Sequence, residues 1–392
     1  AIKYYGVQKA DIAEFTEVSD PTAALGSLQK SVATYERELQ KQQDELQRVM
    51  DTLEQERTRN LDRLDPPAKP DQQKRKEQSQ NVSDSLQWSE AKTRALLIDS
   101  MLAQAGWDVG NPAQVGHEVE VDFPDNASGK GRADYVLWGD NGQPLAVVEA
   151  KKSGNISLQA GREQARMYAD GFERMGFQRP VIFYTNGYST QIWDDTYYPP
   201  RKISGFLKKA ELETLIRRRE NRKPLNIRGI KDEIVNRYYQ KRAIGSICEH
   251  FTDKHRKALL VMATGSGKTR TAIALADLLQ QAGWVKRVLF LADRKALVRQ
   301  AVNAFKEHLP SSSPVNLLTE KDTSGRVYVS TYPTMMGLID ETEGNEARFG
   351  PGHFDLIIID EAHRSVYQKY GAIFRYFDSL LVGLTATPRE QV

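Results

Sequence analysis

Residues 258–279 read ALLVMATGSGKTRTAIALADLL. The opening ALLVMA is an apolar run of strand length and TAIALADLL is a helical run, so a buried strand passes into a helix through a glycine-rich bend. In that bend, Thr264-Gly265-Ser266-Gly267-Lys268-Thr269, the glycines let backbone N–H groups turn toward a phosphate at the helix N-terminus, where the dipole favours negative charge. Lys268 would reach the β- and γ-phosphates, and the Thr269 hydroxyl would ligate Mg²⁺. The full G-x-x-x-x-G-K-[ST] pattern lacks its first glycine, because Met262 stands there. The part that cradles the phosphates is intact.

Downstream, Arg287–Ala292, Val327–Ser330, Leu356–Asp360 and Leu381–Thr385 are further strand-like runs alternating with helical patterns. Such alternation implies a parallel sheet covered on both faces. The run LIIID leads into Asp360-Glu361-Ala362-His363. An aspartate at the C-terminal end of a buried strand lies where open α/β sheets bind ligands, and Asp360 would hold Mg²⁺ through water. Glu361 is placed to polarise an attacking water. A glycine turn alone could be a tight connection. Combined with an acidic pair about 90 residues on, also at a strand end, it reads as one nucleoside triphosphate site.

Upstream, residues 132–151 read RADYVLWGDNGQPLAVVEAK. Asn141-Gly142 is a hairpin signal because both residues tolerate positive φ. A two-residue turn there sets Asp134 opposite Glu149, with Lys151 on the same face through the period of two. Apolar neighbours make this carboxylate pair partly buried, and two such acids repel unless something positive sits between them. Mg²⁺ with oxygen ligands meets that need, and Lys151 would orient a nucleophile or stabilise developing charge. The pattern is loose, and ion-paired surface charges would also produce it. Gln164 and Tyr168 follow on a helix near Leu158–Arg174, four residues apart and so on one face; a plain polar helix face is the other reading.

The chain has 392 residues, 40% hydrophobic and 27% charged, which excludes collagen-like, disordered and membrane classes and fits two or three domains. No apolar run approaches the roughly 20 residues of a spanning helix. The start, AIKYYG, has neither a basic nor a hydrophobic leader region, and with a single cysteine, Cys248, the chain reads as cytosolic. Cys248 itself reads as a small buried hydrophobe. The six histidines have no zinc-like spacing. Apolar residues Leu25, Leu28, Val32, Tyr35, Leu39, Leu46, Val49 and Leu53 fall on a 3–4 spacing, so 1–64 is expected to be a helical, coiled-coil-like extension, packed on its own protein or docked to a partner. Residues 65–83 read as a flexible linker, 84–200 as a small α/β domain, 201–226 as a basic linker and 227–392 as the parallel-sheet domain. Between Arg201 and Arg242 stand 14 lysines and arginines against 5 acids. That belt could follow a polyanion or be a solvated linker helix.

Several strings carry a family resemblance. Asp-Glu-Ala-His at 360–363 resembles the first, RecA-like motor domain of superfamily 2 helicases. Tyr239-Gln240 is similar to the element of that family that reads adenine, which implies ATP as the nucleotide. Leu291–Gln300 and Ser330-Thr331-Tyr332-Pro333 resemble elements that touch the DNA backbone, Thr385-Ala386-Thr387-Pro388 resembles the motif coupling hydrolysis to motion, and the resemblance gives His363 a role linking the ATP site to DNA. Nothing corresponds to a second motor domain, so a truncated or partial chain is expected. Asp134, Glu149 and Lys151 with Gln164 and Tyr168 resemble the helicase-linked D-(E/D)-x-K nucleases, whose fold is restriction-endonuclease-like; Glu90 occupies a place where that family sometimes adds an acid. Nuclease first and motor second, with WSEAKTRALLIDSMLAQAGW, YTNGYSTQIWD, MATGSGKTRTAIA and GLTATP, resembles the R subunit of type I restriction enzymes. This implies a cytoplasmic complex with methyltransferase (M) and specificity (S) subunits, double-stranded DNA as substrate, and ATP and Mg²⁺ as cofactors. A stand-alone helicase-nuclease of repair or phage defence, and a non-catalytic nucleotide-gated DNA-binding scaffold, are the other readings. A type III subunit fits less well, since its order is motor first.

Overall fold

The computed structural model describes residues 97–386, apart from 125, 127, 151–154, 187–188, 322–323, 345 and 363, together with the backbone but not the side chains of 155–160, 364 and 365. The expected helical extension over 1–64, the linker over 65–83, Glu90, Lys151, His363 and Thr387-Pro388 lie outside the described residues. The first sheet is built from β1 (Val115–Asp122), β2 (Lys130–Trp138), β3 (Pro144–Ala150), β4 (Val181–Thr185), β5 (Thr190–Trp193) and β6 (Arg201–Ile203), in that spatial order. Every pairing is antiparallel except β3 with β4. The parallel pair needs a crossover, and α1 (Asn155–Arg174) supplies it. Alternation along the strands separates two cores. Val136 and Val147 face α1 with Ala165, Ala169 and Phe172, while Leu137 and Val148 face the helical stretch 97–104 with Ile98 and Leu102.

The hairpin between β2 and β3 corrects one expectation. Gly142 N–H donates to the Gly139 carbonyl (3.0 Å) and Gly139 N–H to the Gln143 carbonyl (2.9 Å), so the loop holds three residues, 140–142. Only Gly142 takes positive φ, at 72°. This is a turn followed by a left-handed residue, a geometry that Asn141 need not share. A register shift at Leu137/Trp138 compensates for the extra residue, and inward of it Val136 pairs with Val147 and Tyr135 with Val148. Extending that register sets Asp134 across from Glu149, as the shorter turn also implied.

The second sheet joins β7 (Lys257–Val261), β8 (Val288–Ala292), β9 (Pro314–Asn316), β10 (Val327–Thr331), β13 (Leu356–Ile359) and β14 (Leu380–Thr385) in the order β7-β14-β13-β8-β10-β9, all parallel. A small hairpin, β11 (Thr342–Glu343) with β12 (Glu346–Ala347), stands apart. Helices α3 (Tyr238–Thr252), α4 (Lys268–Gln281) and α5 (Lys295–His308) cover one face, and α6 (Tyr332–Leu338) and α7 (Arg364–Tyr376) the other. Both faces are therefore buried over β8, β10, β13 and β14, which is why those strands are largely apolar, while the edge strand β7 leaves Leu259 and Val261 exposed. Along β13, Leu356 and Ile358 enter one core and Ile357 and Ile359 the other. Cys248 lies in the first of these cores, its thiol pushed up to about 12 by burial, so it serves as the small hydrophobe expected.

The segment expected as a basic linker is instead structured. Arg201–Ile203 is the edge strand of the first sheet, and α2 (Lys209–Asn221) buries Leu212 beneath it. Several of its cations are spent on internal ion pairs, while Lys202, Arg217 and Lys223 stay exposed. Arg201 forks onto Asp378 with two 2.6 Å bonds, Arg218 pairs with Asp355, Arg219 with Asp194, and Lys231 with Asp277. Charge counting could not separate these outcomes, because the acids that neutralise the belt lie up to 177 residues away in sequence. Arg201, Arg218 and the Trp284 indole, which donates to the Lys223 carbonyl at 2.9 Å, tie the two sheets into one compact unit. Among the described residues no group of three or more His, Cys, Asp or Glu gathers as a metal site.

Candidate active sites

In the first sheet, strand pairing does the positioning. Asp134 is half-buried and Glu149 is 2% exposed, on adjacent strands whose register sets them opposite one another. Asp134 Oδ2 accepts the Ala150 backbone N–H at 2.6 Å, which fixes the carboxylate against β3. Both acids share the parity of Val136 and Val147, so they face α1. From α1, Gln164 Nε2 donates to the Tyr168 hydroxyl at 2.6 Å. Burial pushes that phenol up; the Gln164 bond opposes the shift, and the charges of Glu149 and Asp134 reinforce it. The phenol thus lies within electrostatic reach of both acids, and four of the five expected nuclease residues converge on one face. The approach depends on Gly131, where a Cβ would stand 2.7 Å from the Tyr168 ring. Two carboxylates with hard oxygen donors, one of them almost wholly buried, suit Mg²⁺.

In the second sheet, loops past the strand ends do the positioning. Gly265 and Gly267 have φ of 76° and 91°, and Lys268 opens α4 directly after them. Met262, where the longer pattern has glycine, continues the strand into the core and donates its N–H to the Thr385 carbonyl at 2.9 Å. Gly267 is required twice over: its φ is left-handed, and a Cβ would lie 2.5 Å from Gln240 Nε2. Gln240 is 4% exposed and donates to the Ser266 carbonyl at 3.1 Å, while the Tyr239 hydroxyl donates to the same oxygen at 2.9 Å. The residues expected to read the base therefore also brace the phosphate loop, a role that motif reading did not anticipate.

Lys268 Nζ stands 3.5 Å from Glu361 Oε1, so the two halves of the expected nucleotide site meet. Asp360 accepts the Glu361 N–H at 3.1 Å. Burial and then the Glu361 charge raise its carboxyl, while that hydrogen bond and Lys268 hold it down. Glu361 has φ 52°, strained for a residue with a side chain, and strain of this kind gathers where function over-determines the backbone. Thr269 is half-buried and Thr264 exposed at the mouth of the loop. Of the element expected at the DNA backbone, Ser330, Thr331 and Tyr332 are all buried. Ser330 and Thr331 end β10 and Tyr332 opens α6, and the Tyr332 hydroxyl donates to the Asp360 carbonyl at 2.6 Å, so this element supports the acidic loop from within.

A parallel-sheet domain with phosphate loop and acidic pair, preceded by a mixed-sheet domain with facing carboxylates, defines a helicase-like nucleotide-binding protein with an appended α/β module. Residues 233–390 match the family described as type III restriction enzyme, res subunit, and residues 110–201 the family described as type I restriction enzyme R protein N terminus. Over the part that it spans, the chain matches the R (endonuclease) subunits of type I restriction enzymes. It is 31% identical over 319 residues to the EcoAI endonuclease subunit of Escherichia coli, covering 74% of this chain and 38% of that one. Against the EcoKI endonuclease subunit of E. coli K12 it is 26% identical over 397 residues, covering 79% and 33%. The chain therefore spans about a third of the length of these curated relatives. A fragment structure described as an HsdR subunit of a type I restriction enzyme from Vibrio vulnificus is 27% identical, covers 76% of this chain and 55% of that one, and overlays with a TM-score of 0.29, so the relationship rests on sequence. Among the described residues no helix is long and apolar enough to cross a membrane.

Proposed function

We propose that this chain carries the nuclease and first motor domains of an R subunit that acts on double-stranded DNA with M and S partners in the cytoplasm. ATP hydrolysis in the second, RecA-like sheet would move duplex, and the first sheet, read as a restriction-endonuclease-like domain, would cut it away from the recognition site. The observation that carries the reading is the coexistence on one compact unit of Lys268 facing Glu361 and of Asp134 facing Glu149. Lys268 exchanges Glu361 for the β- and γ-phosphates when nucleotide arrives, which frees Glu361 to accept a proton from the attacking water. Thr269 and Asp360 would hold the ion that accompanies ATP, and Gln240 keeps the loop closed around it. At the other site Asp134 and Glu149 would share a divalent ion, Gln164 and Tyr168 orient the phosphodiester, and Lys151 balances charge on it. When bound, Mg²⁺ supplies charge neutralisation and a more acidic water at both sites.

The test is linearisation of unmodified circular DNA by the full-length subunit assembled with M and S subunits, ATP and Mg²⁺. Glu149→Gln is expected to abolish linearisation while ATP hydrolysis continues. Cleavage that survives this substitution would remove the nuclease assignment, and activity with neither partner present would favour a stand-alone helicase-nuclease.

A further inference from the structure

Between the two sheets lies a cavity of about 50 Å³, walled by Tyr198, Arg201, Glu211 and Arg222 on one side and by Arg256 and Asp378 on the other. Its charge does not balance. Arg201 and Arg256 share a single acid, Asp378, at 2.6 and 2.8 Å. Arg222 has no ion pair among the described residues; its guanidinium is stacked on Tyr197 and Trp284, 4.6 Å from each ring centre. Arg218 and Asp355, which also line the space, neutralise each other. Two positive charges are thus left against Glu211. That carboxyl is 5% exposed, pushed up to about 7 by burial, and held by the Lys208 and Gly352 N–H groups at 3.0 and 3.2 Å.

The donors at this wall are also unspent. Arg201 Nη1, Arg222 Nε and the Tyr198 hydroxyl are buried without a hydrogen-bond partner among the described residues, as is Glu211 Oε1. Leaving buried polar groups unpaired is costly, more so for charged ones, so several converging on one net-positive space call for an occupant. The volume admits roughly three or four water-sized atoms, the size of a tetrahedral oxyanion. Guanidinium N–H groups are directed donors that match oxyanion geometry better than that of a spherical halide.

We propose that this cavity is a binding site for one small oxyanion of the inorganic phosphate class, held by Arg201, Arg222 and Tyr198 and bridging the two sheets at Arg256. It is distinct from the phosphate loop, which follows the C-terminal end of β7 whereas Arg256 and Asp378 precede the N-terminal ends of β7 and β14, and it does not depend on the function proposed above. Such an anion would fasten α2 of the first domain to the second at the seam that must stay intact for motor and nuclease to act as one body.

The test is equilibrium dialysis of labelled inorganic phosphate against the full-length subunit carrying Lys268→Ala, which disables the loop site. One phosphate per chain is expected, displaced by sulfate far more readily than by chloride. Arg222→Lys keeps the charge but loses the Nε donor and should weaken binding about tenfold or more. Should that variant fold poorly, Tyr198→Phe gives the same reading independently: it removes an unpaired buried hydroxyl, so the anion-free protein melts at the same or a higher temperature while phosphate affinity falls severalfold. Glu211→Gln removes the opposing charge and should tighten binding. Absence of stoichiometric phosphate, equal displacement by chloride and sulfate, or affinity unchanged in both Tyr198→Phe and Glu211→Gln would each overturn the site.

Discussion

In the first sheet Asp134 and Glu149 stand inside paired strands, where the backbone ladder sets their separation and a Gly142 loop with its compensating register shift keeps them in phase. In the second sheet Lys268 and Glu361 stand just beyond strand ends, on loops that need φ of 91° at Gly267 and 52° at Glu361. A ladder holds a fixed geometry, suited to gripping an ion in one place. Strained loops have a second arrangement within reach, suited to a site whose contacts must change as nucleotide is bound and hydrolysed. On the function proposed above, the Lys268–Glu361 pair, 3.5 Å apart, is a contact that nucleotide would break.

The contrast is broken most directly by exchanging the two losses. Lys268→Ala in the full-length subunit should lower ATP hydrolysis by about 10²–10³-fold, the scale for removing one pre-set electrostatic group, with an unchanged melting profile. Asp134→Asn keeps the acceptor for the Ala150 N–H and should reduce cleavage by a similar factor with ATPase intact. ATPase that survives the first change would remove the nucleotide-site assignment. Simultaneous loss of both activities in Asp134→Asn would mean that the sites are not separately built.

The seam between the sheets offers the next largest effect. Glu211 holds its proton up to about pH 7 in the folded protein and releases it near pH 4.5 when unfolded, so folded stability falls as pH rises through that window, by about 3 kcal/mol. Burial is the main cause; Lys208 and Arg287 are the cations that oppose it. His353 slopes the other way below pH 6.5, because burial and then Arg287 drive it down to about 3. The comparison is therefore the difference between Glu211→Gln and its parent: the parent should lose stability relative to the variant from pH 4.5 to 7, measured by chemical denaturation. A flat difference would mean that Glu211 is solvated.

Strain at the loops can be sharpened by Gly267→Ala, expected to cost about 1–3 kcal/mol and to weaken nucleotide binding. Adding Gln240→Ala removes the 2.5 Å clash but not the positive φ, so recovery should be partial. Full recovery would assign the whole effect to crowding, and none would assign it to backbone strain.

How much of this was legible follows the same division. The strands around 133–150 and the five parallel runs announce themselves by their apolar cores, and Asp134 and Glu149 follow from strand period and the Asn-Gly turn signal. The loop holds one residue more than Asn-Gly implies, and the pairing of Asp134 with Glu149 is kept because the register shift at Leu137/Trp138 cancels the extra residue. The fate of the basic belt was not legible, since the Arg201–Asp378 and Arg218–Asp355 pairs join residues brought together only by the packing of two domains. Nor was the bracing of Ser266 by Tyr239 and Gln240, because a motif names a residue's ligand and not the loop that it holds.

The smallest effect tests the residue whose expected role changed most. Tyr332 belongs to an element expected at the DNA backbone, yet it is buried, stacks on Tyr370 at 5.2 Å, and spends its hydroxyl on the Asp360 carbonyl. Burial and then the Asp360 charge push that hydroxyl well above the usual phenol range, so it stays a donor throughout the working pH range. Tyr332→Phe keeps the ring and the stack while deleting one hydrogen bond, a loss of about 1 kcal/mol. Because that bond ends on the loop carrying Asp360 and Glu361, the loss should appear as a severalfold fall in ATP hydrolysis. DNA affinity and its slope against salt should not move, since a side chain with no exposed surface neutralises no phosphate. A shallower salt slope with ATPase unchanged would return Tyr332 to the DNA surface and remove it from the groups that hold the strained loop.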